Sequence, residues 1–519
     1  MVYDIDLMRI FSSVKSNCAI KRAPDPFAEM LAMKKPAPKS QRGQRKNDAP
    51  PPAQGQGRFF GNAIWYTLGG FTLQGIGFLA SLFFAGVLGT EGLGYITNYV
   101  FWQTIFTVLI SCQLNATVNN AAIKFGHDRL DEYLFTILRA CAVPLGALLI
   151  FTALFPGAAA AVTVLSPNHM IICIFNAAFI AIVNVAAFAY ITLGKKFQYL
   201  ALTMSSALLS TGLSVVLVLY FRNHPLAGTP ADGRIWGYTL GFLPVAAYAL
   251  LMMIKRRGTH RKGYIKFALP LALPLIAHEL AQVILGRSSS NILLRLSGPD
   301  SAGIYGLANT LGSVGIIAAA AFNGAWTPWY FRASSEGDTE SVNIMMKKYI
   351  FVFAAFICGA MCVLPEAIRW FFGEDFAPGT RCLPFVLMCG FLLSMYNAVA
   401  NYQIFREKTY YISIVSIGMG LLNLALNLVL IPKIGILGAA LASLVCYLLQ
   451  LFAGIIIGKF VIKGLNIAVR NILFGVAAVA VFMIFVYIFD SLWIIRWLAG
   501  LTCAAGLVWR GKALLAARN

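Results

Sequence analysis

The most constraining feature of the sequence is an internal repeat at a spacing of 209 positions. The segment GTEGLG at 89–94 aligns without a gap on GPDSAG at 298–303, and each segment lies between two apolar runs of membrane-spanning length. In both copies the first Gly permits a tight turn, the acidic residue two positions later keeps the turn in water, and the last Gly lets backbones pack closely. A duplicated bundle of membrane helices is typical of transporters that open alternately to the two sides of a membrane.

Composition indicates that the membrane is the solvent of this chain. Of the 519 residues, 59% are hydrophobic and 12% are charged, with a mean hydropathy of +0.75, which excludes an ordinary soluble domain. The fold class is therefore predicted to be an all-α polytopic membrane protein, a two-lobed bundle of about 14 transmembrane helices with an internal repeat. Twelve is the fallback count if the last two spans form one re-entrant hairpin. The predicted spans cover 60–88, 93–121, 134–155, 167–193, 198–221, 235–254, 264–295, 302–324, 346–364, 380–403, 408–431, 434–458, 471–489 and 491–509.

The distribution of Lys and Arg predicts the orientation, because basic loops resist translocation. With a cytoplasmic N-terminus, twenty-one Lys or Arg residues fall in the inner loops and the C-terminal tail, and six fall in the outer loops. We therefore expect both termini in the cytoplasm. The net charge of +21 is attributed to this bias and to contact with anionic membrane lipids, and nucleic acid is not an expected partner.

Four regions follow from the predicted spans. Residues 1–58 are basic, rich in Pro, Gln and Lys and poor in apolar side chains, which predicts a disordered cytoplasmic tail that either meets a partner enzyme or has no selected role. Residues 59–254 form the predicted N-terminal transmembrane lobe, and 264–460 form the C-terminal one. Residues 461–519 hold two additional helices and a short cytoplasmic tail.

Signals of catalysis, cofactors and metals are missing from the sequence. There is no Walker A segment, no HExxH and no long outer loop with catalytic residues, so an enzyme is not expected. Only His278 lies well inside a predicted span, which leaves no room for a histidine-based metal or haem site. Cys358 and Cys362 share a helix face without a His or an acid nearby, and are interpreted as small packing residues. We expect no cofactor and no metal.

The predicted span 264–295 is the candidate site, because ionisable groups in hydrocarbon are costly and usually functional. Arg287 and Asn291 are four residues apart and share a helix face, while Glu279 lies about 80° round from Arg287 and roughly two turns away, next to His278. One interpretation is a cationic anchor for an anionic substrate group, with Glu279 tuning Arg287 or taking up a coupling ion. The other is a structural Arg–Glu pair that stabilises helix packing.

Amide side chains in the predicted span 93–121 form a second candidate set. Asn115 and Asn119 are one helical turn apart, and a row of neutral amides suits hydrogen bonding to sugar hydroxyls. Interhelical amide bonds are also ordinary membrane glue, worth about 0.6 kcal/mol each. Arg139 and Arg496 lie near the predicted ends of their spans, where a long side chain reaches the interface, and each is interpreted as an interface anchor.

Three segments resemble polysaccharide flippases of the multidrug/oligosaccharidyl-lipid/polysaccharide exporter superfamily. They are LGTEGLGY at 88–95, LSGPDSAGIYGLA at 296–308 and LNLALNLVLIPKIGILGAA at 422–440, and the resemblance covers about 59–460. It implies a two-lobed bundle of twelve to fourteen spans in the bacterial inner membrane that moves undecaprenyl-pyrophosphate-linked oligosaccharides outward for O-antigen, capsule or exopolysaccharide assembly. It also implies H⁺ or Na⁺ coupling, or consumption of the flipped sugar, as the source of energy, with glycosyltransferases or a polymerase as partners.

The chain departs from this family at one charged position. Family members often carry an Asp-Arg pair where this chain has Asn291-Ile292, so the resemblance implies that Arg287, one turn earlier, supplies the charge.

Two alternatives to a glycan flippase stay open at this point. A cation-coupled multidrug extruder of the same superfamily favours acidic residues in the N-terminal cavity, yet the first six predicted spans have no mid-span Asp or Glu. A membrane scaffold of a glycan-assembly complex would act through the basic tail. For the transporter, a bulky substitution such as Gly303→Leu is expected to trap the inward-open state.

Overall fold

A computed structural model of the protein describes most of the predicted membrane region. The described backbone comprises residues 54–226, 228–255, 262–490 and 492–502, without the side chains of 54–71, 73, 262 and 325. From Phe60 onward the described residues belong to one compact unit. Nearly all of the predicted basic tail and the predicted C-terminal tail lie outside the described residues.

Every regular element in the described part of the chain is a helix, as the apolar runs predict. The α-helices are α1 (Gln54–Ser111), α2 (Val118–Phe125), α3 (Leu130–Leu154), α4 (Pro156–Thr163), α5 (Pro167–Thr192), α6 (Lys196–Asn223), α7 (Pro230–Lys255), α8 (Lys262–Ser297), α9 (Pro299–Ser335), α10 (Thr339–Phe372), α11 (Leu383–Phe405), α12 (Tyr410–Ile456), α13 (Val469–Ile488) and α14 (493–502). Short 3₁₀ segments cover Leu114–Thr117, His127–Arg129 and Glu374–Arg381, and a π turn covers Ile457–Val461.

Eleven helices in the described residues are long and apolar enough to cross a membrane. Two of them are bent pairs: α1 breaks at Gly89 into arms 54–88 and 90–111, and α12 breaks at Ile434 and Gly435. The eleven helices therefore hold thirteen membrane-length segments, and α14 follows them. The predicted all-helical, polytopic fold class is confirmed.

The two copies of the repeated turn have the same backbone conformation. Gly89 has φ 68° and ψ −173°, and Gly298 has φ 87° and ψ 171°. L-residues rarely adopt this region, so Gly is required where each apolar run reverses into the next. The structure thus confirms the repeat at the level of individual dihedral angles.

The second arm of α1 is shorter than the predicted span 93–121. The α-helix ends at Ser111, because Cys112 and Gln113 have left-handed backbones with φ 44° and 51°. The Ser111 hydroxyl accepts a hydrogen bond from the Gln113 N–H at 3.2 Å, and Leu114–Thr117 continue as a 3₁₀ turn. The break falls where polar residues begin to alternate with apolar ones, at Ser111, Gln113, Asn115 and Thr117, a local signal that the predicted span 93–121 passes over.

Two large hydrophobic clusters correspond to two lobes. One contains residues of α1 to α7, and the other contains residues of α9 to α13 together with Ala85 and Leu93 of α1. Helix α8 contributes to both, since Tyr264, Ala268 and Ala272 pack in the first cluster and Leu285 packs in the second. The Tyr264 hydroxyl also donates to Glu132 of α3 at 2.9 Å. Helix α8 therefore links the lobes.

Arg496 contradicts its interpretation as an interface anchor. Its side chain is fully buried and forms an ion pair with Glu366 of α10. Arg369 bonds the same carboxylate at 3.0 Å and also pairs with Asp490 at 2.9 Å. A buried guanidinium needs such partners, and they fasten α14 to the C-terminal lobe. Glu366 lies 130 positions before Arg496, so the position within the span alone did not reveal this partner.

Candidate functional site

A cavity of about 490 Å³ lies between the first arm of α1 and four helices of the C-terminal lobe, α8, α9, α11 and α12. Amide, hydroxyl and guanidinium groups provide its polar surface. These polar residues are Gln74, Ser81, Gln282, Arg287, Tyr305, Asn309, Thr310, Ser313, Ser443 and Tyr447. Within the described residues, no carboxylate lines this cavity. It offers one positive charge among many neutral hydrogen-bonding groups.

Arg287 is the charged residue of the cavity wall. It is solvent-exposed although it lies in the middle of α8, because its side chain faces the open cavity. In the described part of the chain, no carboxylate lies within 4.0 Å of its guanidinium. The interpretation of a structural pair between Arg287 and Glu279 therefore has no support in the geometry. A guanidinium without an anion partner is suited to bind an anionic ligand.

Helix α8 holds Arg287 on the cavity by fastening its other face to α12. Ser288 donates to Asn423 Oδ1 at 3.1 Å, and Ser289 donates to Asn427 Oδ1 at 3.2 Å. Asn427 in turn donates to Asn423 at 2.8 Å, and both amides are fully buried. The Asn residues of the 422–440 motif thus join helices, as the membrane-glue interpretation predicts.

Asn291 lies away from the cavity and joins the lobes. It is buried, and its Nδ2 donates to Oδ1 of Asn98 in the second arm of α1 at 2.6 Å. Asn98 donates onward to the Thr163 carbonyl of α4 at 2.9 Å. Although Asn291 follows Arg287 by one turn, the geometry favours a packing role for Asn291 over direct contact with a ligand.

His278 and Glu279 are half-buried on α8, two turns or more before Arg287. Neither is among the residues that line the cavity. The Nδ1 atom of His278 is buried and has no hydrogen-bond partner in the described structure. The structure therefore separates these two candidates from Arg287 and does not form them into one cluster.

Asn115 and Asn119 do not form a row on one helix. Asn115 is buried in the 3₁₀ turn Leu114–Thr117, and Asn119 is exposed at the start of α2. The expected one-turn spacing fails because the α-helix has already ended at Ser111. Neither residue lines the cavity.

The end of the cavity near the two repeated turns is closed by the repeats themselves. A β-carbon on Gly94 would overlap the carbonyl oxygen of Pro299, and one on Gly303 would overlap that of Thr90. Thr90 also donates to the Asp300 carboxylate at 2.5 Å. The predicted orientation assigns this end to the outer face. In that orientation a side chain at Gly94 or Gly303 would oppose closure of the outer face, so the close approach favours an outward-open state for Gly303→Leu over the inward-open state expected from the sequence.

The repeat extends well beyond the turn. Arg234 Nη1 donates to Ser214 Oγ at 2.6 Å, and the pair 209 positions later, Ser443 and Asn423, also makes contact, at 3.5 Å. In the same register, Tyr238 corresponds to Tyr447. Ser443 and Tyr447 both line the cavity, so Arg234 and Tyr238 occupy the equivalent surface of the N-terminal lobe.

Arg234 is a further candidate residue. The predicted span 235–254 leaves it in the preceding outer loop, but α7 begins at Pro230 and includes it. Its guanidinium lies 4.3 Å from the ring centroid of Phe84 and 5.3 Å from that of Tyr238, and no carboxylate of the described residues is within 4.0 Å. The 209-position offset from the cavity residue Ser443 was the signal that could have identified it.

Known proteins share this sequence pattern and architecture. The chain is 22% identical over 412 residues to protein 1 of the Lsg locus of Haemophilus influenzae, covering 74% of this chain and 95% of that protein. Its fold is similar to the lipid II flippase MurJ in an inward closed conformation, with a TM-score of 0.59, 15% identity and coverage of 87% of this chain and 100% of MurJ. It is also similar to the MATE multidrug transporter DinF-BH, with a TM-score of 0.56, 15% identity and coverage of 83% of this chain and 100% of that transporter.

The family assignment rests on more than half of the chain. Residues 59–334 match the model of the family described as polysaccharide biosynthesis protein. This region includes the N-terminal lobe, α8 with Arg287 and both copies of the repeated turn. The chain is a multi-pass membrane protein with the fold shared by flippases and multidrug exporters, and it belongs to the polysaccharide biosynthesis protein family.

Proposed function

We propose that the protein is a flippase that moves an undecaprenyl-pyrophosphate-linked oligosaccharide across the bacterial inner membrane by alternating access. The observation that carries this proposal is Arg287, a cation without a carboxylate partner among the described residues, in a cavity whose other polar groups are all neutral. A pyrophosphate matches the forked donors of a guanidinium, and the amides and hydroxyls match sugar hydroxyls. The polyprenyl tail can stay in lipid, so the cavity has to accept only the polar head.

The alternating access would come from movement of the two lobes about the contact between Gly94 and Gly303. Residues 59–254 and 264–460 act as the two rocking units, while 461–519 add helices to the C-terminal side. Separation of Gly94 from Gly303 opens the cavity outward, and their contact closes it. An H⁺ or Na⁺ gradient, or consumption of the flipped sugar by a polymerase outside, drives net movement of the substrate to the outer leaflet. The protein needs no catalytic residue for this task, and both termini lie in the cytoplasm.

A cation-coupled multidrug extruder is the second candidate, because a MATE transporter has a similar fold. Cationic drugs need acidic partners, and the cavity offers Arg287 and neutral groups in their place. A scaffold for glycosyltransferases or a polymerase is the third. Deletion of residues 1–58 separates it from the flippase, since a tail-based scaffold would lose function and a flippase would keep it.

Export of surface glycan by Arg287 variants tests the proposal in cells. Arg287→Ala should abolish export while membrane abundance is unchanged, and Arg287→Lys should restore it in part, because an ammonium lacks the bidentate fork. Arg332→Ala is the matched control, as Arg332 is an exposed residue of α9 that pairs only at the surface with Glu336 at 3.6 Å. Normal export by Arg287→Ala would contradict the proposal, and loss of drug efflux without loss of glycan would favour the extruder.

A further inference from the structure

A second concave site lies entirely within the N-terminal lobe, on a groove of about 320 Å³ between the second arm of α1 and helices α3, α5 and α7. It shares no residue with the central cavity. Its walls are apolar except for one side chain, that of Arg139. The lining residues are Ile110, Phe135, Leu138, Arg139, Cys141, Ala142, Leu145, Ala178, Ala181, Ile182, Val185, Leu250 and Ile254.

Arg139 is a cation in this groove without an acidic partner. It is exposed, and no carboxylate of the described residues lies within 4.0 Å of its guanidinium. The guanidinium lies 5.9 Å from the ring centroid of Phe135, which is one turn nearer the start of α3. Side chains of a helix point toward its N-terminus, so Arg139 reaches back toward the end that the charge distribution assigns to the cytoplasm.

The depth of the charge matches a lipid phosphate. Phe135 is five residues after Leu130, the first residue of α3, which corresponds to about 7.5 Å along the helix axis. From that level the groove continues past Ala142 to Leu145, about 22 Å from the helix start. A charge at one end and an apolar channel directed toward the bilayer centre complement an anionic head and an acyl chain.

We propose that this groove binds one anionic diacyl phospholipid of the cytoplasmic leaflet, with its phosphate on Arg139 and an acyl chain along the wall formed by α3 and α5. An unpaired charge at membrane depth is unfavourable, and basic pockets between transmembrane helices on the cytoplasmic side bind anionic headgroups. A zwitterionic lipid is a poorer match, because its own ammonium group offsets the phosphate. The site is independent of the central cavity and of the substrate that is transported.

Native mass spectrometry of the purified full-length protein, titrated with dioleoyl phosphatidylglycerol or dioleoyl phosphatidylcholine, tests this assignment. Arg139→Ala should weaken binding of the first phosphatidylglycerol about fivefold and leave phosphatidylcholine unchanged, as expected for one basic residue near a headgroup. Arg129→Ala is the matched control, because Arg129 is exposed just before α3 and lies outside the groove. The Arg129→Ala variant should bind phosphatidylglycerol with the affinity of the wild type.

A variant without a charge change tests the acyl-chain part. Ala142→Phe fills the groove while Arg139 stays in place. This variant should also weaken binding of the first phosphatidylglycerol molecule. Wild-type affinity in Arg139→Ala, or an equal loss in Arg129→Ala, would overturn the headgroup site. Wild-type affinity in Ala142→Phe would overturn the groove as the binding site of the acyl chain. None of these results depends on glycan export. Failure of the lipid site can therefore be distinguished from failure of the proposed function.

Discussion

Gly303→Leu should push the protein toward an outward-open state. A β-carbon at 303 would overlap the Thr90 carbonyl oxygen, and it would lie 2.8 Å from the Thr90 carbonyl carbon and 3.0 Å from the Gly94 nitrogen, where ordinary contact begins at 3.4 Å. The overlapping atoms are backbone, so only separation of the helices relieves them. Overpacking of a close contact costs about 1–3 kcal/mol, and a value of about 2 kcal/mol lowers the ratio of outer-closed to outer-open protein roughly 30-fold.

Cysteine accessibility measures this shift. With the native cysteines replaced, Ser313→Cys places a thiol in the cavity, and an impermeant maleimide is added from outside. Gly303→Leu should raise the labelling rate by up to about 30-fold, in proportion to the population ratio. Gly86→Leu is the control. Gly86 lies in the last turn of the first arm of α1, close to the bend at Gly89, and a β-carbon there would meet no atom within 4 Å. An unchanged or slower rate in Gly303→Leu would refute the reasoning from the Gly94–Gly303 contact.

Three further predictions concern topology and the buried polar contacts. A reporter fused after Lys262 should report the cytoplasm and one after Asp232 the outer side, and both on one side would contradict the fourteen-span topology. Asn423→Leu should lower stability by about 2 kcal/mol, measured as the midpoint of unfolding in detergent, because its long bond to Ser443 and the bonds from Ser288 and Asn427 are lost and the last two donors stay buried; an unchanged midpoint would contradict the α8–α12 contact. Arg496→Ala should destabilise by about 3–5 kcal/mol, and the double variant with Glu366→Ala should lose less than the sum of the single losses; full additivity would contradict the ion pair.

Features determined by local chemistry could be predicted from the sequence. The turns at Gly89 and Gly298 were predictable because only Gly adopts their backbone conformation readily. The position of Arg287 on a cavity was foreseeable because a charge in an apolar helix must face water or a partner. The break after Ser111 was not, because Cys112 and Gln113 have left-handed backbones that neither residue type favours.

Features determined by distant partners could not be predicted in the same way. Burial of Arg496 depends on Glu366, which lies 130 positions earlier and is brought close only by packing of α14 on α10. The role of Asn291 depends on Asn98 in the opposite lobe, 193 positions away. Arg234 was missed because it lies at the start of α7, where polarity resembles that of a loop. Only the repeat register connects it to the cavity.

Reconstituted transport tests the central claim most directly. The purified protein is placed in liposomes with a fluorescent undecaprenyl-pyrophosphate-linked oligosaccharide in both leaflets, and the fraction that an impermeant reagent outside can modify is followed over time. The wild type should bring nearly all of the lipid to the reagent, and Arg287→Ala should leave the inner-leaflet half protected at equal protein incorporation. Protection of that half with wild-type protein, or equal exposure with Arg287→Ala, would contradict a flippase that holds its substrate at Arg287.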